Sequence, residues 1–239
     1  MPDKMSTEKI NRIKALGAAV VVAPTNVPAE SPKSYYSVAR RIARDTPNAI
    51  YFDQYNNALN REAHYRTTGP EIWRQCEGDI AAFVCGIGTG GTISGVGRFL
   101  KEQNPAVEVV GVDPVGSIFY DYCYTGRYKN PNTYHVEGIG EDYLVTAVDF
   151  SAIDSIVQVT DRDSFETARK VARTEGILCG GSSGSALWGA IEIAPRFAGR
   201  NIVVLFPDSG AMYLSKFFDD AWMTENFAAE CPAIAEAAE

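Results

Sequence analysis

The sequence predicts an α/β fold in which parallel strands are covered by helices on both faces. Three observations carry this. Strand and helix signals alternate along the chain, as βαβα units require. Several strand segments are apolar throughout rather than alternating, as strands buried on both faces are. A glycine-rich turn, residues 86 to 92, joins one such strand directly to an amphipathic helix.

In chain order, Ser6 is suited to cap a first helix with Ile10, Ile13 and Leu16 on one face, and Gly17 suits its C′ position. Residues 18 to 23 form an apolar run expected to be a buried strand. Ser31 and Pro32 open a second helix with Tyr35, Val38, Ala39 and Ile42 as its stripe, and a strand is expected from Ala49 to Phe52. A helical stretch around Pro70-Glu71-Ile72-Trp73 precedes a strand from Ile80 to Cys85. Ile93, Val96, Gly97 and Leu100 mark the next helix, and Val107 to Val112 the next strand. Asp163 and Glu166 resemble a capping box for a helix with Phe165, Ala168, Val171 and Ala172 inward. Residues 185 to 195 are expected to be helical and Ile202 to Phe206 a strand. A last helix carries Leu214, Phe217, Phe218, Ala221 and Trp222 inward, and the Ala/Glu-rich run from Ala228 is expected to be a loosely held tail. No internal repeat or low-complexity linker interrupts the pattern.

Composition narrows the function classes. A chain of 239 residues with net charge −8 and no Lys/Arg-rich run lacks the electrostatic footprint of a nucleic-acid binder. The five cysteines, Cys76, Cys85, Cys123, Cys179 and Cys231, are scattered and without CxxC spacing, which predicts neither a disulfide framework nor a zinc site and favours a reducing cytoplasm. Two histidines, His64 and His135, are too few for most His-based metal sites, so no metal is expected. No apolar stretch reaches the roughly 20 residues that span a bilayer, and the first residues lack the apolar core of a signal peptide.

The most informative local motif is Gly86-Ile87-Gly88-Thr89-Gly90-Gly91-Thr92. Glycines there admit close approach of backbone to an anion, and the amides and dipole at a helix start favour phosphate. The spacing also satisfies the dinucleotide fingerprint, with Asp113 about 22 residues beyond Gly91 where a ribose-binding acid would sit. The same spacing therefore admits a nicotinamide-dependent oxidoreductase. Against it stand Thr89 and Thr92, hydroxyls suited to a compact monophosphate, and the strand–helix units that precede the loop.

Gly88-Thr89-Gly90-Gly91-Thr92 resembles the phosphate loop of fold-type II pyridoxal-phosphate enzymes, whose core is tryptophan synthase β-like. The resemblance recurs in order at Pro2-Asp3-Lys4-Met5-Ser6, Asp53-Gln54-Tyr55, Ala63-His64-Tyr65, Gly111-Val112-Asp113-Pro114-Val115-Gly116-Ser117, Glu137-Gly138-Ile139-Gly140, Gly180-Gly181-Ser182-Ser183-Gly184-Ser185 and Pro207-Asp208-Ser209. On these segments the chain is identified as a member of the cystathionine β-synthase and cysteine synthase family. The segment after Asp113, the second glycine of Gly180-Gly181 and the Pro207 turn are more similar to cystathionine β-synthases. Glu141 departs from the tyrosine that many of those carry, which leaves the second substrate open.

The resemblance implies roles for particular residues. Gly88, Thr89, Gly90, Gly91 and Thr92 would hold the phosphate of pyridoxal 5′-phosphate. Ser182 would bond its ring nitrogen, a neutral partner suited to loss of a β-substituent. Ser182 could equally cap the helix that follows. Gln54 would approach the substrate carboxylate, or be a polar strand-end side chain. Gly138 and Gly140 would form a mobile loop over the cofactor, or a simple turn. Cys85 and Cys179 read as buried small hydrophobes, and His64, without a visible partner, as structural.

One part of the family pattern does not occur. The Schiff-base lysine lies in a Ser-x-Lys-x-Arg type motif, followed by a Thr-Ser-Gly-Asn-Thr-Gly type loop, and none of the eight lysines here has that context. Catalytic residues are therefore not assigned. The expectation is a fragment, a mis-started frame or half of a split enzyme, with Met1 matching an internal methionine of longer relatives. Residues 1–58 would be the remainder of a small N-terminal domain, 59–225 a large cofactor-binding domain and 226–239 a tail. The intact enzyme would catalyse β-replacement on serine or an activated serine with a thiol, as a cytoplasmic homodimer. The same motifs would also suit cysteine synthase-like activity with sulfide, or a non-catalytic binding subunit. The isolated chain would be inactive unless a complementing N-terminal segment supplied the lysine.

Overall fold

A computed structural model describes residues 1–128 and 130–227. Its helices and strands follow in the order α1 (Thr7–Ala15), α2 (Tyr35–Asp45), α3 (Leu59–Arg66), α4 (Thr68–Gln75), β1 (Ala82–Gly86), α5 (Gly91–Gln103), β2 (Glu108–Pro114), α6 (Phe119–Thr125), β3 (Ser155–Val159), α7 (Asp161–Thr174), α8 (Gly181–Ile193), β4 (Ile202–Val204) and α9 (Asp220–Phe227). The four strands form one parallel sheet in the order β3-β2-β1-β4.

Side chains of a strand alternate between faces, and both faces of this sheet are dry. Phe83 and Cys85 of β1 and Val109 of β2 enter a core with Ile93, Val96, Leu100 and Phe119. Ala82, Val84, Val110 and Val112 point the other way, against Ala190 and Ile193 of α8. Burial of each large apolar side chain contributes about 1.5–3 kcal/mol, so this two-sided core fixes the register. α8 lies very close to the sheet: a Cβ on Gly189 would meet Val112 Cγ2 at 2.6 Å.

The N-terminal portion behaves differently. Residues 18–23 and 49–52 are not strands, and only an isolated parallel bridge joins Pro2 to Ala23. Val21 and Val22 are half exposed, while Leu16, Ile50 and Phe52 are largely exposed. The first segment pairs only with residues 1–3, through bonds at Val21 and Ala23, and neither segment joins a continuous ladder among the described residues, so neither gains the pairing and burial that a strand needs.

Other boundaries moved for local reasons. The cap of α2 is Ser34, which accepts from the Ser37 amide at 3.2 Å, in place of Ser31. The cap of α7 is Thr160, whose hydroxyl accepts from the Asp163 amide at 3.1 Å. The expected last helix is a 3₁₀ turn, Gly210–Tyr213, followed by turns and then α9. Phe217 is buried and stacks on Phe165 at 4.7 Å, whereas Leu214 is half exposed. β3, α3 and α6 escaped the sequence reading; β3 is short and only partly buried. The expected tail from Ala228 lies outside the described residues.

What fastens the N-terminal portion is charge. Glu137, with a side chain only 1% exposed, pairs with Lys9 of α1 at 3.0 Å and Lys216 at 2.6 Å. Lys9 also donates to Tyr213 Oη at 2.6 Å, and Lys216 to the Lys4 carbonyl at 2.6 Å. Removing the shared anion leaves two part-buried cations facing each other. Glu137→Gln is expected to lower stability by about 3 kcal/mol in urea unfolding, whereas loss of an ordinary exposed pair costs under about 1 kcal/mol.

Candidate functional site

The carboxyl end of β1, the residues just after β4, the start of α5, the start of α8 and the N-terminal portion surround a cleft of about 1220 Å³. Ligand clefts of parallel sheets lie at this edge because helix N-termini converge there. Gly88, Thr89, Gly90, Thr92, Ser182, Gln54, Gly138 and Gly140 all line it. Gly91 does not line it, but supplies the first residue of α5.

The glycine loop is held from behind. Gly90 is the N-cap of α5 with φ +81°, and no side chain caps the helix. The amides of Gly91, Thr92 and Ile93 have no acceptor among the described residues. Three free amides at the positive end of a helix are a ready anion site. A Cβ on Gly88 would meet the Gly138 carbonyl at 2.4 Å, one on Gly90 Val148 at 2.1 Å and one on Gly91 Asn60 at 2.0 Å. Packing of neighbouring segments therefore demands these glycines as strongly as any ligand would.

Two side chains organise the loop, Asn60, which sequence reasoning missed, and His64, which it read as structural. Asn60 of α3 donates to Thr89 Oγ1 at 2.9 Å and to the Gln54 carbonyl at 2.7 Å. His64, read from sequence as partnerless, bridges Thr68 Oγ1 at 3.0 Å and Thr92 Oγ1 at 3.1 Å. Burial lowers its pKa, and a neutral imidazole supplies one donor and one acceptor for such a bridge. Asn60 lies in no motif read from the sequence and His64 lies in the Ala63-His64-Tyr65 segment, but the contacts of both are found only when α3 packs on α5.

Ser182 lies inside the first turn of α8, whose N-cap is Gly180. It is not the cap that sequence reading allowed. The residue is 3% exposed, and its hydroxyl has no hydrogen-bond partner among the described residues. Gln54 is exposed in a turn at the cleft mouth. Gly138 is exposed with open space around it and φ +87°. Gly140 is buried, with its amide donating to the Ile87 carbonyl at 2.7 Å. Asp113, the possible ribose acid, is fully buried, accepts from the Tyr120 amide at 2.9 Å and does not line the cleft.

Ionisation follows burial. Cys85 is free and its thiol is pushed up to about 12, and burial also raises Cys179, so both are inert small groups as expected. Desolvation pushes Glu141 up to about 8, although Tyr36 Oη donates to it at 3.0 Å. Asp113 rises to about 7 for the same first reason. Among the described residues no His/Cys/Asp/Glu cluster could hold a metal ion, and no helix is long and apolar enough to cross a membrane.

The model of the family described as pyridoxal-phosphate dependent enzyme matches residues 1–208. The chain belongs to that family. It is 45% identical over 224 residues to the cystathionine β-synthase of Apis mellifera, covering 93% of this chain and 44% of that protein. It is 42% identical over 235 residues to the cystathionine β-synthase of Saccharomyces cerevisiae, covering 95% and 46%. It is 38% identical over 217 residues to the O-acetylserine dependent cystathionine β-synthase of Bacillus subtilis, covering 90% and 67%. The chain thus spans less than half the length of the first two relatives. Its place in the cystathionine β-synthase and cysteine synthase group agrees with the motifs read from the sequence.

The family's cofactor is pyridoxal 5′-phosphate, and the residues present fit it on two counts. The free amides of α5 suit a phosphate, and the unpartnered Ser182 hydroxyl suits a ring nitrogen in the same cleft.

The raised Glu141 sets a pH dependence of stability. Its unfolded-state carboxyl titrates near 4.5 and its folded one near 8. The native chain therefore holds a proton that the unfolded chain releases, and stability falls as pH rises through that window. Glu141→Gln removes the proton linkage. Its melting temperature should gain on that of the unmutated protein between pH 5 and pH 8.5, by on the order of 3 °C or more; a constant gap would show that Glu141 ionises freely in the folded state.

Proposed function

We propose that this chain forms the cofactor-binding part of an enzyme that replaces the β-substituent of serine, or an activated serine, with a thiol. The observation that carries the reading is the convergence of the α5 amides and the Ser182 hydroxyl on one cleft in a chain of this family. Similarity to cystathionine β-synthases supports an amino-acid thiol as second substrate, with sulfide as the cysteine synthase-like alternative.

In this reading each group has a physical task. The amides of Gly91, Thr92 and Ile93, with the hydroxyls of Thr89 and Thr92, bind the phosphate. Asn60 and His64 fix those two hydroxyls. Ser182 holds the ring nitrogen through a neutral hydrogen bond, and Gln54 orients the substrate carboxylate. The Gly138–Gly140 segment covers the cleft and excludes water. When bound, pyridoxal phosphate supplies the electron sink for loss of the β-substituent. Residues 1–58 act as the remainder of a small domain, 59–225 as the large one and 226–239 as a tail. A homodimer rests on the family resemblance, and the four free described cysteines support a cytoplasmic setting.

No lysine of this sequence lies in the family's Schiff-base motif, so the separate chain is expected to bind but not turn over. The exposed apolar segments around Val21, Val22, Ile50 and Phe52 are where a lysine-bearing segment would complete the small domain. Pyridoxal phosphate should raise the melting temperature of the chain, and Ser182→Ala should weaken its binding by about tenfold. β-Replacement activity should be absent until the lysine-bearing segment of a longer relative is added in trans. Turnover by the purified chain alone would overturn the assignment of inactivity, and failure to bind pyridoxal phosphate would overturn the whole reading.

A further inference from the structure

Two lysines line the cleft, and they differ in state. Lys9 is engaged by Glu137 and Tyr213. The Lys4 ammonium sits 4.1 Å over the Tyr134 ring and makes neither an ion pair nor a hydrogen bond among the described residues. Desolvation lowers its pKa. Glu137, Asp161 and Glu141 offset part of that desolvation from beyond ion-pair distance, with Lys216 opposing them, and no carboxylate contacts the ammonium directly, so an anionic ligand would complete its partners.

Glu141 lines the same cleft and is 7% exposed. One of its carboxyl oxygens accepts from Tyr36 Oη at 3.0 Å, and the other has no hydrogen-bond partner among the described residues. It follows Gly140 directly, and the Gly140 amide is bound to Ile87 of the glycine loop, so Glu141 is tied to the edge of the phosphate site. Tyr36, Tyr55 and Tyr143 pack edge-on beside it, with ring centroids 5.0 and 5.2 Å apart, and give an aromatic wall suited to methylenes and sulfur.

We propose that Lys4 and Glu141 form the specificity subsite for the second substrate, Lys4 taking the α-carboxylate and Glu141 the α-ammonium of an amino-acid thiol. The inference deepens the β-replacement reading and rests on it. A site serving sulfide would have no use for an anion-seeking and a cation-seeking group, both kept largely from water. Glu141 faces Tyr36, Lys4, Asp113 and Asp142 electrostatically, and its carboxyl stays mostly neutral near pH 7. An arriving ammonium stabilises the carboxylate, so binding should release a proton to buffer.

The test is calorimetry on the full chain with its phosphate site filled by pyridoxine 5′-phosphate, which lacks the aldehyde and cannot condense with amines. L-Homocysteine, 4-mercaptobutanoate and 3-mercaptopropylamine are titrated in turn. The unmutated chain should bind homocysteine at least about tenfold more tightly than either truncated thiol, with a heat that varies with the ionisation enthalpy of the buffer. Lys4→Met should lose that margin over 3-mercaptopropylamine, and Lys4→Arg should retain part of it. Glu141→Gln should lose the margin over 4-mercaptobutanoate and the proton release. Equal affinity of the unmutated chain for all three thiols overturns the proposal without any variant, as does unchanged homocysteine binding in both folded variants. Failure of pyridoxine 5′-phosphate to bind, with thiol discrimination intact, instead overturns the cofactor reading and leaves the subsite standing.

Discussion

The architecture depends on how the N-terminal portion is anchored to the sheet domain, because that portion supplies one wall of the cleft. Little apolar surface does this: none of α1 is buried, and α2 buries only Tyr36. The anchor is the Glu137 carboxylate, shared by Lys9 and Lys216 and supported by the bond from Lys9 to Tyr213. Glu8 adds bonds to the Ser215 amide and hydroxyl at 2.8 and 2.9 Å. A shared buried anion has a narrow geometric tolerance, so it orients the wall more strictly than a greasy contact of equal strength would. Glu137 is also the residue before the Gly138–Gly140 segment, so the same charge that anchors α1 positions the loop over the cleft.

Around the glycine loop, packing and the proposed phosphate role make the same demands. Its glycines avoid collisions with Gly138, Val148 and Asn60, and they also leave the first amides of α5 uncapped. A capping side chain there would satisfy the helix and fill the anion site at once. The helix end is thus less stable than a capped one, and the difference is available to a ligand. Ser182 follows the same logic, as a buried hydroxyl without a hydrogen-bond partner among the described residues, in a helix that begins on glycine.

Much of the sheet and its covering helices was legible in the sequence. The apolar run at 80–85, and that at 107–112 broken only by Glu108, predict strands buried on both faces, and both are apart from Glu108 and the strand-end Gly86. The same reading failed at 18–23 and 49–52, whose residues are equally apolar. Strand propensity is a preference for a pleated, paired environment, and among the described residues only an isolated bridge to Pro2 is present there. Errors at α2 and α7 were of another kind. Ser31, Ser34, Thr160 and Asp163 are all competent caps, and the choice among them fell to tertiary contacts such as Asp161 accepting from the His135 and Val136 amides.

The sequence by itself determined the family, and it singled out the glycine loop and Ser182 as candidates for the site, because glycine spacing and motif order are properties of the chain alone. It also determined that none of the lysines present lies in the Schiff-base motif. The tertiary structure alone decided which polar groups remain without partners. Lys4 and Lys9 are alike in sequence, yet one is neutralised by a carboxylate distant along the chain and the other is left over an aromatic ring. Glu137 and Glu141 are four residues apart, yet one is ion-paired and the other desolvated into holding its proton. Charge state and availability depend on what packs around a group, and the packing partners come from segments far away along the chain.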